Sequence, residues 1–282
     1  MKRDVIRRKA IEPKSPADQD ENARDGGVQS VDRALSIIET LAEDDEGYRL
    51  SDLAIRTGLS TSTVHRLLAT LENRRFVQFD RTESKWHVGA RCFTVGATFA
   101  RRRNFAAQAI PYLRKLRDLT RETANLAVVD DEFIVVLTRM ESREIMRSLT
   151  KLGGRVAMVA SGVGKAVLAT YSNEDVSAII HHHGMPRLTE KSIVRPSDLF
   201  KELEKIRRQG FAIDDEEACM GLRCIAAVVY NDCAEPLAAI SVSGMTGRLT
   251  DERLPQLGQT VREVAEELTV ALGGVMPAAK AS

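Results

Sequence analysis

Apolar residues recur at helical spacing over most of the chain and at strand spacing in six shorter runs. Val31, Leu35, Ile38 and Leu41 lie three or four apart, which predicts a first helix with one apolar face. Glu43-Asp44-Asp45-Glu46-Gly47 breaks that pattern. Leu50 to Ile55 predicts a second helix with Ser51 as its N-cap, stopping at Gly58, which accepts the positive φ of a tight turn. Ser60 is a second N-cap position, and Val64, Leu67, Leu68 and Leu71 give a third helix its apolar face. Small Ala54 permits close approach, and Val64 and Leu67 fill the angle. That is the pattern of a helix-turn-helix, although an ordinary αα-corner shares the spacing.

After Arg74-Arg75 the period shortens to two. Phe76–Phe79 and Lys85–Val88 read as strands joined by the loop Asp80–Ser84. A hairpin after the third helix is a wing, with Arg81 and Lys85 at its tip and Trp86 in the core. Cys92, Phe93, Val95, Gly96 and Phe99 mark a linker helix over residues 90–104. Its Arg101-Arg102-Arg103 run suits either phosphate contact or the negative end of the helix dipole. Further on, Ile110, Leu113, Leu116 and Leu119 mark a helix. Leu126–Val129 and Phe133–Leu137 read as strands about an Asp130-Asp131 turn. Helices follow at 163–169, around Val176, Ile179 and Ile180, and over Leu199, Leu203 and Ile206, the last ended by Gly210. Strands at 224–230 and 237–243 precede a long amphipathic helix from Leu254 to Leu272. Helices mixed with hairpin-linked strands predict an α+β class with an antiparallel sheet.

Length changes the picture first, because 282 residues favour two domains. The polar stretch 1–27 cannot offset its own chain entropy and reads as a disordered tail, as does 276–282. The intervening divisions are 28–89 for the winged segment, 90–104 for the linker and 105–275 for a second domain. No apolar run follows the basic start, so no secretory leader is expected, and no stretch is long enough to span a bilayer. Cys92, Cys219, Cys224 and Cys233 form no C-x-x-C pair, which fits a reducing cytoplasm and neither a disulfide framework nor a zinc site. The net charge of +1 argues against a strongly basic nucleic-acid binder until it is divided. Residues 51–104 carry 10 basic against 4 acidic groups, while 105–282 carry a net −2. The basic segment is a candidate phosphate-binding face or an unevenly charged surface. The polar face of the third helix favours the former. Thr61, Ser62, Thr63, His65, Arg66 and Thr70 suit base edges and phosphates, and neither Glu nor Lys appears there before Glu72.

Catalytic motifs are missing. Gly162-Val163-Gly164-Lys165 lacks the first Gly and the final Ser or Thr of a P-loop, and Val167 stands where G-x-G-x-x-G needs its third Gly. Ser161 and Lys165 miss the S-x-x-K spacing. His181-His182-His183 point different ways on a helix end and make a poor metal face. Ser161-Gly162-Val163-Gly164 instead offers backbone N–H groups at a helix start, which suit a carboxylate. Ser241 and Ser243 share one face of an otherwise apolar strand, where they line a site or meet solvent. No cofactor or metal is expected.

Several runs together resemble the IclR-type transcriptional regulators. In the first half these are Val28 to Ile37, Leu53-Ala54 to Gly58-Leu59, Ser62-Thr63-Val64-His65-Arg66-Leu67-Leu68 and Phe76-Val77. In the second they are Ala160 to Ala166, Gly210-Phe211 with Asp214-Asp215-Glu216-Glu217, Gly221 to Ala227 and Pro236 to Gly244. The likeness covers about residues 28–274. It implies a winged helix-turn-helix, a linker helix and a GAF-like effector domain. It also implies homodimers or homotetramers, double-stranded palindromic operators and small organic-acid effectors. DNA contact would fall to Ser60, Thr61, Ser62, Thr63, His65, Arg66, Arg81 and Lys85. The residues look like those of the family's glyoxylate-responsive members, which implies glyoxylate or a pyruvate-like 2-oxo acid and genes of two-carbon metabolism. Their ligand contacts map onto the backbone of Gly162 and Val163 and onto Asp214, Cys224, Ser241 and Ser243. The apolar wall maps onto Ile145, Ser148, Val156 and Leu222. Ser148 replaces a Met and Val156 a Leu, which implies a wider, more polar pocket. The other reading of the chain is an enzyme or small-molecule carrier whose helix-turn-helix is structural.

Overall fold

The computed structural model describes residues 27–102, 105–131, 133–142 and 153–277, with backbone only for 99–102. The expected tails 1–27 and 276–282 therefore lie almost wholly outside the described residues, as do the side chains of Arg101, Arg102 and Arg103. The chain divides after Arg102 into two compact units.

The first unit contains α1 (Gln29–Ala42), α2 (Leu50–Thr57), α3 (Thr61–Asn73), β1 (Val77–Asp80), β2 (Lys85–Val88) and α4 (Ala90–Arg102). Ile37, Leu41, Leu53, Val64, Leu68, Val77 and Trp86 form its core. The expected apolar face of α1 is offset. Ile37 and Leu41 are buried, whereas Val31 and Leu35 are 55% and 54% exposed. Ser51 is no N-cap: Arg49 holds that position, and the Ser51 hydroxyl donates to Asp52 at 3.3 Å. Gly58 takes φ +65 and ends α2 as its sequence position requires. Ser60 caps α3, its Oγ accepting from the Thr63 N–H at 3.2 Å, an arrangement worth about 1 kcal/mol. β1 and β2 pair antiparallel from Val77↔Val88 to Asp80↔Lys85. Tyr48 exchanges backbone hydrogen bonds of 3.0 and 2.8 Å with Trp86, so the α1–α2 connection joins the wing as a third chain. Trp86 is a core residue, buried and 4.9 Å from the Phe79 ring.

The second unit contains α5 (Phe105–Thr120), β3 (Thr123–Asp130), β4 (Phe133–Met140), β5 (Arg155–Ala157), α6 (Gly162–Leu168), α7 (Asn173–His183), α8 (Pro196–Gln209), β6 (Ala212–Asp215), β7 (Leu222–Tyr230), β8 (Pro236–Met245) and α9 (Leu254–Ala271). Six strands form one antiparallel sheet in the order β5-β4-β3-β8-β7-β6. Strand alternation sends Leu126, Val128, Ile225, Ala227, Ile240 and Val242 to one face, where α5 and α9 cover them. Ala127, Ile134, Ala226, Val228 and Ala239 point the other way, under α6, α7 and α8. With both faces covered, these strands read as apolar runs rather than alternating ones. Leu119, expected on the buried face of α5, is 59% exposed; Thr120 closes that face instead, its hydroxyl donating to the Leu116 carbonyl. β5 and β6 were not expected as strands.

Candidate functional site

In the first unit, Thr61, Ser62, His65 and Arg66 are exposed. Positions i, i+1, i+4 and i+5 form one stripe over the first two turns of α3. Ser60 and Thr63 serve the cap, their oxygens 2.8 Å apart, and Ser62 Oγ lies 3.0 Å from Ser60 Oγ. Thr70 turns back to donate to the Arg66 carbonyl at 3.0 Å. Arg81 is exposed in the wing loop. Lys85 is the first residue of β2 rather than part of the tip. Its Nζ lies 3.2 Å from Glu83 and 4.0 Å from Glu46, so its charge is largely shared. Arg56 is similarly engaged, 3.0 Å from Glu43 and over the Tyr48 ring.

In the second unit, the ladders place one polar row across four strands. Thr123 stands opposite Ser243, Ser243 opposite Cys224, and Cys224 opposite Asp214. One step along, Arg139 stands opposite Asn125 and Asn125 opposite Ser241. By parity with Ala127, Ala226 and Ala239, these side chains share the α6 face of the sheet. The α6 N-terminus meets the row at Cys224. A Cβ on Gly162 would lie 3.1 Å from the Cys224 carbonyl oxygen and 3.3 Å from its Sγ. Ser161 caps α6, accepting from the Gly164 N–H at 3.0 Å. Gly164 is sterically required, since a Cβ there would fall 2.0 Å from the Met158 carbonyl oxygen. Val163 is buried; Leu222 is half-buried on β7, two residues before Cys224, and Val156 is half-buried on the edge strand β5, with β4 between it and β3. Ile145 and Ser148 lie outside the described residues.

The electrostatics follow from burial. Asp214 Oδ1 accepts from the Glu217 and Ala218 N–H groups at 2.8 and 3.3 Å, closing the β6–β7 turn. Burial, then the Glu217 charge, push its carboxyl up to about 6, against the opposing pull of Lys165. Lys165 is wholly buried beneath it, bonded to the Ile213 carbonyl at 2.7 Å and closely paired with Glu217. Burial also raises Glu217. The Cys224 thiol rises to about 11, through burial first and the Asp214 charge second, so it is a neutral wall and not a nucleophile.

The ladders set Asp214, Cys224 and Ser243 in register with Ser241 one step along, and the start of α6 meets this group at Cys224. Sequence reading missed Thr123, Asn125, Arg139 and Lys165. Thr123 and Asn125 repeat the signal that marked Ser241 and Ser243, two polar residues two apart in an apolar strand. Lys165 is the lone charge in Gly-Val-Gly-Lys-Ala-Val-Leu. Arg139 has no comparable signal.

A winged helix-turn-helix with an exposed polar stripe on its third helix, followed by a separate α+β unit with a polar site under a helix start, defines a DNA-binding transcriptional regulator. Two family descriptions match the chain, "IclR helix-turn-helix domain" over residues 30–81 and "Bacterial transcriptional regulator IclR C-terminal" over 97–270. The chain is 40% identical over 251 residues to the acetate operon repressor of Salmonella typhimurium, covering 88% of this chain and 92% of that protein. It is 39% identical over 252 residues to the transcriptional repressor IclR of Escherichia coli K12, covering 89% and 92%. Among solved structures it resembles the Thermotoga maritima IclR, with TM-score 0.69, 25% identity and coverage of 86% and 98%. The chain belongs to the IclR family, and it is a regulator rather than an enzyme. No helix among its described residues is long and apolar enough to cross a membrane.

Proposed function

We propose that this protein is an effector-controlled repressor that senses a small 2-oxo acid, glyoxylate or a pyruvate-like relative. Its target genes belong to two-carbon or organic-acid metabolism, in keeping with a relative named for the acetate operon. The observation that carries the effector reading is the row Ser243–Cys224–Asp214, with Ser241 beside it, at the α6 N-terminus. The Gly162 and Val163 N–H groups take the carboxylate, since a helix start favours an anion. Asp214, Ser241, Ser243 and the Cys224 thiol surround the carbonyl or its hydrate. α3 enters the major groove with Ser62, Thr63, His65 and Arg66, and Arg81 of the wing meets the backbone. The operator is palindromic because the protein is a homo-oligomer. Val31 and Leu35 on α1, and Phe93 on α4 at 80% exposure, give a second copy apolar surface to cover. The effector acts by binding one conformational state better than the other.

Calorimetric titration of the full chain with glyoxylate and pyruvate tests the effector, with binding to its own upstream DNA followed in parallel. We expect saturable heat with at least one acid and an altered operator affinity. No saturation with either overturns the effector assignment. Arg66→Ala should cost about 1–3 kcal/mol of operator binding, and unchanged binding would remove α3 from the groove.

A further inference from the structure

The turn between β6 and β7, residues 216–221, supplies the N–H groups that bond Asp214, yet it lies beyond the ladder, which ends at Asp215↔Arg223. Its first residue, Glu216, takes φ +62, a conformation that a residue with a Cβ keeps only where its surroundings hold it. The α7–α8 connection holds it. Thr189 Oγ1 donates to the Glu216 carbonyl at 2.7 Å, with the Glu217 carbonyl at 3.3 Å, and Ser192 Oγ donates to the Glu217 carbonyl at 2.8 Å. Ser192 is buried, and its oxygen also accepts from the Leu188 and Thr189 N–H groups at 3.0 and 2.9 Å. The connection is thus folded around the hydroxyl that grips the turn. A trans peptide is planar, its carbonyl and N–H pointing opposite ways. The Glu216 carbonyl shares a plane with the Glu217 N–H, and the Glu217 carbonyl with the Ala218 N–H. Those two N–H groups are the ones that bond Asp214 Oδ1, at 2.8 and 3.3 Å. Each plane is therefore held on one side by a hydroxyl of the connection and on the other by the Asp214 carboxylate.

We propose that Thr189 and Ser192 are positioning residues of the effector site, each acting through one peptide plane to aim an N–H group at Asp214 Oδ1 and so leave Oδ2 for the ligand. The inference rests on the small-acid site proposed above and on Asp214 being part of it. Both N–H bonds favour the ionised carboxyl and oppose the burial that raises it. The charged groups facing Asp214 are Glu217 of its own turn and Lys165 of α6, and the thiols of Cys219 and Cys224 lie close to it. Lys191, the cation of the gripping segment, faces Asp215 and Glu216 instead. Removing the Thr189 hydroxyl therefore loosens the grip on Asp214 without changing any charge around it.

The test is calorimetry on the full chain with glyoxylate and pyruvate, from about pH 5.5 to 8 across the Asp214 titration. Thr189→Val keeps the shape of the side chain and removes its donor. Affinity at the acid end should fall by about threefold to tenfold, the effect of one net hydrogen bond. The pH above which affinity declines should also move up, because a carboxyl short of an N–H donor takes up its proton sooner as pH falls. Thr189→Ser keeps the hydroxyl and should bring both affinity and profile back toward wild type. Ser192→Ala frees the second plane and should act in the same direction as Thr189→Val. A merely structural role would lower affinity by one factor at every pH and leave the profile in place. An unmoved profile in Thr189→Val, or a Thr189→Ser variant no nearer to wild type, overturns this proposal only, provided that wild type binds an acid. Failure of wild type to bind either acid overturns the effector reading and this proposal with it.

Discussion

Asp214 is an acid held where its charge is opposed, with burial and Glu217 raising its carboxyl to about 6 while Lys165 and two turn N–H groups pull the other way. The sign of the consequence is fixed. A carboxyl raised above its unfolded value stabilises the fold fully when protonated, below about 4, and that contribution is lost as pH rises through about 6. The proposed anionic effector beside it would raise it further, so that its binding near neutral pH would take up a proton. The affinity for a 2-oxo acid should therefore rise as pH falls from about 7.5 to 5.5, by at most about tenfold per pH unit. Asp214→Asn should flatten that profile and melt no lower than wild type at pH 7.5, because the amide oxygen still accepts from the Glu217 N–H. Calorimetry across pH checks it, and an equally steep profile in the variant would exclude Asp214 as the titrating group. Residues of this kind were only partly legible in the sequence. Ser241 and Ser243 announced themselves by spacing, whereas Asp214 and Cys224 emerged from the family resemblance. Arg139 owes its place to a strand register that no local pattern encodes, pairing with Asn125 across β3 and β4.

At the scale of elements, glycine and serine punctuation was the most readable feature. Gly58 and Gly210 end α2 and α8 with φ of +65 and +81, and Ser60 and Ser161 cap α3 and α6. The failures have physical causes. β6 reads Ala-Ile-Asp-Asp, and its carboxylates look like loop chemistry until Asp215 is seen paired with Arg223 at 2.6 Å and Asp214 closing its turn. β5 is three residues long, too short for a period to show. The Ser51 cap failed because α2 begins two residues earlier than such a cap would place it, at Leu50, which packs against the core. α6 carries the sharpest element-level consequence. It is only seven residues long, and its start depends on the close approach of Gly164 to the Met158 backbone. Gly164→Ala places a methyl group where backbone cannot yield, costing about 1–3 kcal/mol and displacing the Gly162 and Val163 N–H groups. Melting temperature and effector affinity should fall together, while Ser161→Ala, which removes only the cap, should cost about 1 kcal/mol. A variant Gly164→Ala with wild-type affinity would show that the helix start is not the anion site.

Across the whole molecule, the net charge of +1 conceals a division between a basic first segment and a slightly acidic remainder. Formal charge still overstates what reaches a phosphate, because proteins spend cations on their own surfaces. Arg56 leans on Glu43 and Tyr48, and Lys85 sits between Glu83 and Glu46, whereas Arg66 and Arg81 stand exposed on α3 and in the wing loop. The slope of log affinity against log salt counts phosphates neutralised, about 0.9 for each on duplex DNA. Replacing Arg81 by Ala should reduce that slope by about one and weaken operator and unrelated duplex alike, since backbone contacts carry no sequence information. Replacing Arg66 by Ala should weaken the operator more than unrelated DNA, because in the proposed docking its guanidinium would read base edges. Replacing Lys85 by Gln should leave the slope within about a third of a unit, because Glu83 and Glu46 already screen that ammonium. Fluorescence anisotropy at four or five salt concentrations separates the three. A Lys85 variant that loses a full unit of slope while Arg81→Ala loses none would mean that the wing docks through its strand and not its tip, and that the ion pairs seen at Lys85 open on DNA.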